Sequence, residues 1–130
     1  GCDCDIVGMS AFQTSIAVLD DDASVRRAMV RLFQTTAYHV SVYASADTLL
    51  AELDDLAPKC LVVDFHMPRM NALEFLDQLE RKGASIPTIV ITAFDEPETR
   101  RRCLAAGASA YFTKPIRRAE LLATIDSLIA

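Results

Sequence analysis

A three-layer α/β domain, doubly wound about a central parallel sheet, is the fold this sequence predicts. Four short apolar runs, SIAVLD (15–20), CLVVD (60–64), TIVIT (88–92) and AYFT (110–113), show no clean alternation with polar residues, as expected of strands covered on both faces. Stretches of helical periodicity separate them, so strand and helix follow one another five times over. Repeated right-handed crossovers of that kind build a parallel sheet between two helical layers.

SIAVLD supplies the first strand. Val25, Met29, Leu32 and Thr36 then recur at helical spacing, with Arg26, Arg27 and Arg31 between them. HVSVYA (39–44) is the one strand candidate that alternates, which suits a sheet edge. Ser45 is a good N-cap for the helix that carries Leu49, Leu50 and Leu53. After CLVVD, Leu73, Leu76 and Leu79 form a third stripe, ended by Gly83 and Pro87. TIVIT leads into a helix over 96–106, with Pro97 near its start and few large apolar residues around RRRC before Gly107. AYFT is the last strand, and Leu121, Leu122, Ile125, Leu128 and Ile129 mark the last helix.

A chain of 130 residues has room for one domain, large enough to fold without disulfides or structural metal. A hydrophobic content of 52% with four glycines and five prolines excludes the disordered class. The net charge of −5 argues against nucleic-acid contact. The apolar runs fall short of the ~20 residues a membrane span needs, and the start does not resemble a signal peptide, so a cytoplasmic protein without membrane contact is expected. Residues 1–8, GCDCDIVG, read as a leader ahead of a start at Met9, leaving 9–130 as the domain. Cys2 and Cys4 have the spacing of a soft-metal pair but no further ligands. Cys60 and Cys103 read as small buried hydrophobes of a reducing compartment.

Ligands of open α/β sheets bind beyond the carboxyl ends of the strands. Here those ends are Asp20-Asp21-Asp22, Asp64, Thr92 and Lys114. Two carboxylates ~4 Å apart repel by about 4 kcal/mol at an effective dielectric near 20, so the cluster calls for a cation. An all-oxygen, partly hydrated site suits Mg²⁺ better than Zn²⁺. A carboxylate beside such an ion is a nucleophile toward phosphorus. The metal and a lysine neutralise the transferring group, and the Thr92 hydroxyl suits its oxygens. Asp22 is read as the cap of the first helix rather than as a ligand.

The segments VLDDD (18–22), LVVDFHMPRM (61–70), VITA (90–93) and AAGASAYFTKP (105–115) resemble, in order and spacing, the response-regulator receiver domains of two-component systems. The resemblance runs from about residue 14 to residue 130. It implies a flavodoxin-like fold, five parallel strands in order 2-1-3-4-5 with five helices. It implies Asp64 as phosphoacceptor and metal ligand, Asp21 as a direct ligand, Asp20 as its acidic partner acting through water, and His66 as a ligand through its backbone carbonyl. Thr92 and Tyr111 match the paired switch residues and Lys114 the phosphate-contacting lysine, whose bond to Pro115 is usually cis in the family. His66 and Phe94 fall where residues flank the phosphoryl group and set its lifetime. The implied donor is a sensor histidine kinase or small phosphodonor, with Mg²⁺ as cofactor. The implied output surface, for a partner or a homodimer, is the fourth helix, fifth strand and fifth helix. HVSVYASADTLLAEL (39–53) resembles receivers joined to LuxR-type DNA-binding domains, implying transcription regulation through an output domain outside this chain. Ala72 stands where the family usually has glycine, and an altered turn after Asp64 is expected there.

These features make the domain a switch, not an enzyme beyond catalysing its own phosphorylation and dephosphorylation. A haloacid-dehalogenase-like phosphatase is the rival, but it needs a second aspartate two residues after its nucleophile, where this chain has His66. A flavodoxin-type electron carrier needs a Ser/Thr/Gly phosphate loop where this chain has three aspartates. Tyr111 also reads as a core aromatic, and a histidine side-chain bond to metal at His66 lacks a neighbouring histidine. Arg100, Arg101 and Arg102 read either as a solvated helix face or, with Arg117 and Arg118, as part of a partner surface.

Overall fold

The computed structural model describes residues 14–130; the leader, Cys2, Cys4 and Met9 lie outside the described residues. The chain runs β1 (Ser15–Leu19), α1 (Ala23–Phe33), β2 (His39–Tyr43), α2 (Ala46–Leu56), β3 (Cys60–Asp64), α3 (Ala72–Arg81), β4 (Thr88–Thr92), α4 (Pro97–Ala105), β5 (Ala110–Thr113) and α5 (Arg118–Ile129). All five strands are parallel, in the order β2-β1-β3-β4-β5. The alternating segment is indeed an edge, and the unbroken apolar runs β3 and β4 are buried from end to end.

Successive strand residues point to opposite faces, which divides the core in two. Ala17, Leu19, Leu61, Val63 and Val90 pack with Leu49 and Leu53 of α2, Phe75, Leu76 and Leu79 of α3, and Cys103 of α4. Ile16, Val18, Val62, Ile89 and Ile91 pack with Met29 and Phe33 of α1 and Leu121 and Ile125 of α5. The chain leaves β1 toward β2 on one side and returns to β3 on the other. The strand order therefore reverses between β1 and β3, and a crevice opens at their carboxyl ends. Asp20 and Asp64 stand there.

Helix ends follow local chemistry, with two departures from expectation. Asp22 caps α1, its Oδ1 accepting from the Ser24 N–H at 2.8 Å. Asn71 and Glu74 form a reciprocal capping box on α3, each bond 2.9 Å. Ser45 occupies the cap position of α2 but makes no side-chain cap bond. The stripe of α1 closes on Phe33 rather than Thr36: the Thr36 hydroxyl donates to the Phe33 carbonyl at 2.7 Å beyond the helix end. Gly83, at φ +73°, takes the left-handed turn that stops α3. Ala72 is fully buried, opens α3 at negative φ and donates its N–H to the Phe65 carbonyl at 3.0 Å. The turn after Asp64 thus accepts a Cβ, and no glycine is required.

Candidate phosphoryl-accepting site

Asp20 and Asp64 enter the crevice because β1 and β3 are neighbours in register, with Leu19 opposite Val63. Both carboxylates are buried, at 3% and 7% exposure, whereas Asp21 is exposed. Single oxygens of Asp20, Asp21 and Asp64 lie within 4.8 Å of one another. Lys114 follows β5, and its Nζ stands 3.1 Å from Asp20 Oδ2 and 3.1 Å from Asp64 Oδ1. Its peptide bond to Pro115 is cis. Asp20 is held on every side: Oδ1 accepts from the Asp22 N–H at 2.9 Å, and its carbonyl accepts from Arg26 Nη1 at 2.8 Å. Arg26 was legible only as one of several helix arginines; its reach back to the end of β1 needs the folded turn.

The charges are strongly coupled. Burial pushes the Asp64 carboxyl above its ordinary value, and Asp20 and, to a smaller degree, Asp21 push it further, against the opposing pull of Lys114. Burial by itself would lower the Lys114 ammonium, but its bonds to Asp20 and Asp64 outweigh that and raise it. Lys114 therefore stays charged, and the carboxylate group has one cation among three acids. The donor set fits a hard divalent ion: every candidate ligand is oxygen. Lys114 occupies Asp20 Oδ2 and Asp64 Oδ1, while Asp21 faces solvent.

Thr92, wholly buried at the end of β4, turns its hydroxyl toward the following loop. It accepts from the Phe94 N–H at 3.1 Å and donates to the Phe94 carbonyl at 3.3 Å. The Phe94 side chain is 65% exposed, with its ring edge-on to the exposed His66 at a centroid separation of 5.6 Å. His66 in turn meets Phe65 at 4.9 Å. The two positions expected to flank a phosphoryl group therefore touch each other. Tyr111 is 5% exposed and its hydroxyl has no partner among the described residues. Its ring is turned inward in this structure.

Of the arginine run, Arg101 pairs with Glu98 and Arg100 stacks on Tyr111, 5.5 Å from the ring centroid. Arg117 pairs with Glu120 at 3.2 Å, and Arg118 reaches the Thr35 hydroxyl. Cys60 and Cys103 are free, buried thiols that burial holds protonated, Cys60 at about 11. A groove of about 710 Å³ opens at the opposite end of the sheet, between the last turns of α3 and α4. Small side chains and backbone line much of it, and the acidic cluster is not part of it. No described helix is long and apolar enough to cross a membrane.

The family model of the response regulator receiver domain matches residues 16–126. The chain is similar to the response regulator protein TodT of Pseudomonas putida, at 34% identity over 128 residues that cover 98% of this chain and 56% of TodT. Among solved structures it is similar to a CheY-like response regulator receiver domain protein from Methanospirillum hungatei, with 25% identity, a TM-score of 0.83, and coverage of 90% and 94% of the two chains. It is also similar to full-length FixJ from B. japonicum, with 27% identity, a TM-score of 0.83, and coverage of 89% of this chain and 57% of FixJ. The chain spans about half the length of the curated relatives it matches.

Proposed function

Because the chain belongs to the response-regulator receiver family, we propose that Asp64 accepts a phosphoryl group from a sensor histidine kinase or a small phosphodonor in a Mg²⁺-dependent reaction. The observation that carries this reading is the position of Asp64: a buried strand-end carboxylate, clustered with Asp20 and Asp21 and 3.1 Å from the Lys114 ammonium.

In the transfer, an Asp64 oxygen forms a bond to phosphorus as the bond from phosphorus to the donor atom breaks. The electron pair leaves with that atom, an imidazole nitrogen in a histidine kinase. Lys114 is already placed to neutralise charge on the incoming oxygens. Asp21, Asp64 and the His66 carbonyl, with Asp20 assisting, would hold Mg²⁺, which would supply charge neutralisation for the carboxylates and the phosphoryl oxygens. Asp20 acts as an anchor: bound to Lys114, to the Asp22 N–H and, through its carbonyl, to Arg26, it fixes the ammonium beside Asp64.

The switch follows from Thr92. Its hydroxyl now holds the backbone of Phe94. Once phosphoryl oxygens offer stronger acceptors nearby, the hydroxyl exchanges Phe94 for them and frees the start of the loop that leads to α4. The surface of α4, β5 and α5 then changes for a partner or a second copy of this chain. Apart from this chemistry on itself the domain is no enzyme. A DNA-binding output domain outside this chain completes the reading, supported by the likeness of 39–53 to LuxR-type regulators and by relatives nearly twice as long as the match. The protein then works in the cytoplasm beside its kinase and its DNA.

The test is phosphorylation by acetyl phosphate and Mg²⁺. Wild type gains one phosphoryl group and Asp64→Asn gains none; equal labelling of the variant overturns the reading.

A further inference from the structure

The fourth helix is attached to the sheet in an unusual way. α4 buries Cys103, while its other residues are exposed or half-exposed. Arg100, one turn before Cys103, is exposed and makes no ion pair among the described residues, although the next arginine pairs with Glu98. Instead its guanidinium lies 5.5 Å from the centroid of the Tyr111 ring, within the range where the face of an aromatic ring attracts a cation. Residues three apart on a helix lie on neighbouring positions of one face, so the exposed Arg100 reaches the Tyr111 ring from one turn before the buried Cys103.

The ring it covers is itself poised. Tyr111 is 5% exposed, and its buried hydroxyl has no partner among the described residues. An unpaired buried hydroxyl favours turning the ring out to water. The guanidinium lying over the ring opposes that turn.

We infer that Arg100 is the positioning residue that holds Tyr111 inward and makes the placement of α4 depend on that ring. The inference extends the proposed switch by naming one contact, beside the burial of Cys103, through which β5 and α4 are joined. It does not need the phosphoryl chemistry, because the contact exists in the unmodified domain.

The experiment measures amide exchange across α4 in the unmodified protein, together with the side-chain proton shifts of Arg100 and the ring signals of Tyr111. A guanidinium over an aromatic face shows ring-current displacement in wild type. Arg100→Gln, which keeps length and hydrogen bonding but loses charge, accelerates exchange over residues 97–106 by about twofold to fivefold, the fold-change expected for a partly exposed cation–ring contact. Arg100→Lys recovers part of the protection. Tyr111→Phe keeps the ring and deletes the unpaired hydroxyl, so it retains or increases protection. In a Tyr111→Leu background Arg100→Gln has no further effect, which separates the contact from a general helix-propensity change. Full protection in Arg100→Gln, or an undiminished Arg100→Gln effect in Tyr111→Leu, overturns the inference. Either result leaves the labelling of Asp64 untouched, so failure here is distinguishable from failure of the receiver reading.

Discussion

Thr92 holds Phe94 by two bonds, its hydroxyl accepting from the Phe94 N–H at 3.1 Å and donating to the Phe94 carbonyl at 3.3 Å. The last residue of β4 thereby fixes the first part of the loop to α4. The residue expected to sense a phosphoryl group and the residue that packs on His66 are thus directly joined.

Under the proposed switch, removing that hydroxyl is expected to disconnect the site from the helix. Thr92→Ala is expected to accept a phosphoryl group from acetyl phosphate, because Asp64 and Lys114 are untouched. Phosphorylation should then leave amide exchange over residues 94–113 nearly unchanged, whereas wild type shows a clear change. Identical changes in both proteins would place the coupling elsewhere.

Asp21 is the exposed member of the acidic cluster, so replacing it disturbs little packing. Asp21→Ala should lose Mg²⁺ binding by at least tenfold and lose phosphorylation with it. Its fold should be as stable as wild type or slightly more stable, since one of three like charges is gone. Titration of Mg²⁺ with thermal unfolding of the metal-free protein checks both halves. Unchanged Mg²⁺ affinity would assign the direct ligand to Asp20 or Asp22.

A pH dependence follows from Asp64. Its carboxyl is raised, first by burial and then by Asp20, so the folded state binds its proton more tightly than the unfolded chain, whose value is about 3.9. A raised group contributes stability that is complete below the unfolded value and is lost as pH rises through the folded one. At pH 7 the metal-free protein therefore carries a cost that Asp64→Asn relieves. Urea unfolding without metal should show Asp64→Asn more stable than wild type at pH 7, with the difference vanishing toward pH 4. A less stable variant at pH 7 would mean that the Lys114 pair outweighs desolvation.

Phe94 and His66 meet edge-to-face, at a centroid separation of 5.6 Å, and under the proposed function they border the approach to Asp64. A bulky ring there neither positions a water nor leaves it much room. Phe94→Asn should shorten the lifetime of the phosphorylated protein severalfold, measured as loss of label after donor removal. Equal or slower decay would count against shielding.

Much of this domain was legible because burial writes itself into composition. Strands β1, β3 and β4, covered on both faces, read as unbroken apolar runs, and β2 at the edge alternated. Asp20, Asp21, Asp64, Thr92 and Lys114 were legible because they end successive strands. What stayed hidden depends on neighbours far away in sequence. Arg100 read either as part of a solvated face or as part of a partner surface, and its place over the Tyr111 ring needed the fold. The bond from Arg26 to the Asp20 carbonyl needs the turn between β1 and α1. Ser45 has cap chemistry yet makes no cap bond, and residue type alone does not reveal rotamer. Thr36 fitted the stripe of α1 by spacing, but its own hydroxyl bonds the carbonyl of Phe33 past the helix end.

The central claim is that Asp64 itself carries the phosphoryl group. The direct measurement is reductive trapping of the acyl phosphate in wild type with borohydride, followed by peptide mapping. Homoserine is expected at position 64, dependent on both phosphodonor and Mg²⁺, with Asp20, Asp21 and Asp22 recovered unmodified. Homoserine at position 20, 21 or 22 in place of 64, or full trapping at 64 without any divalent ion, would contradict it.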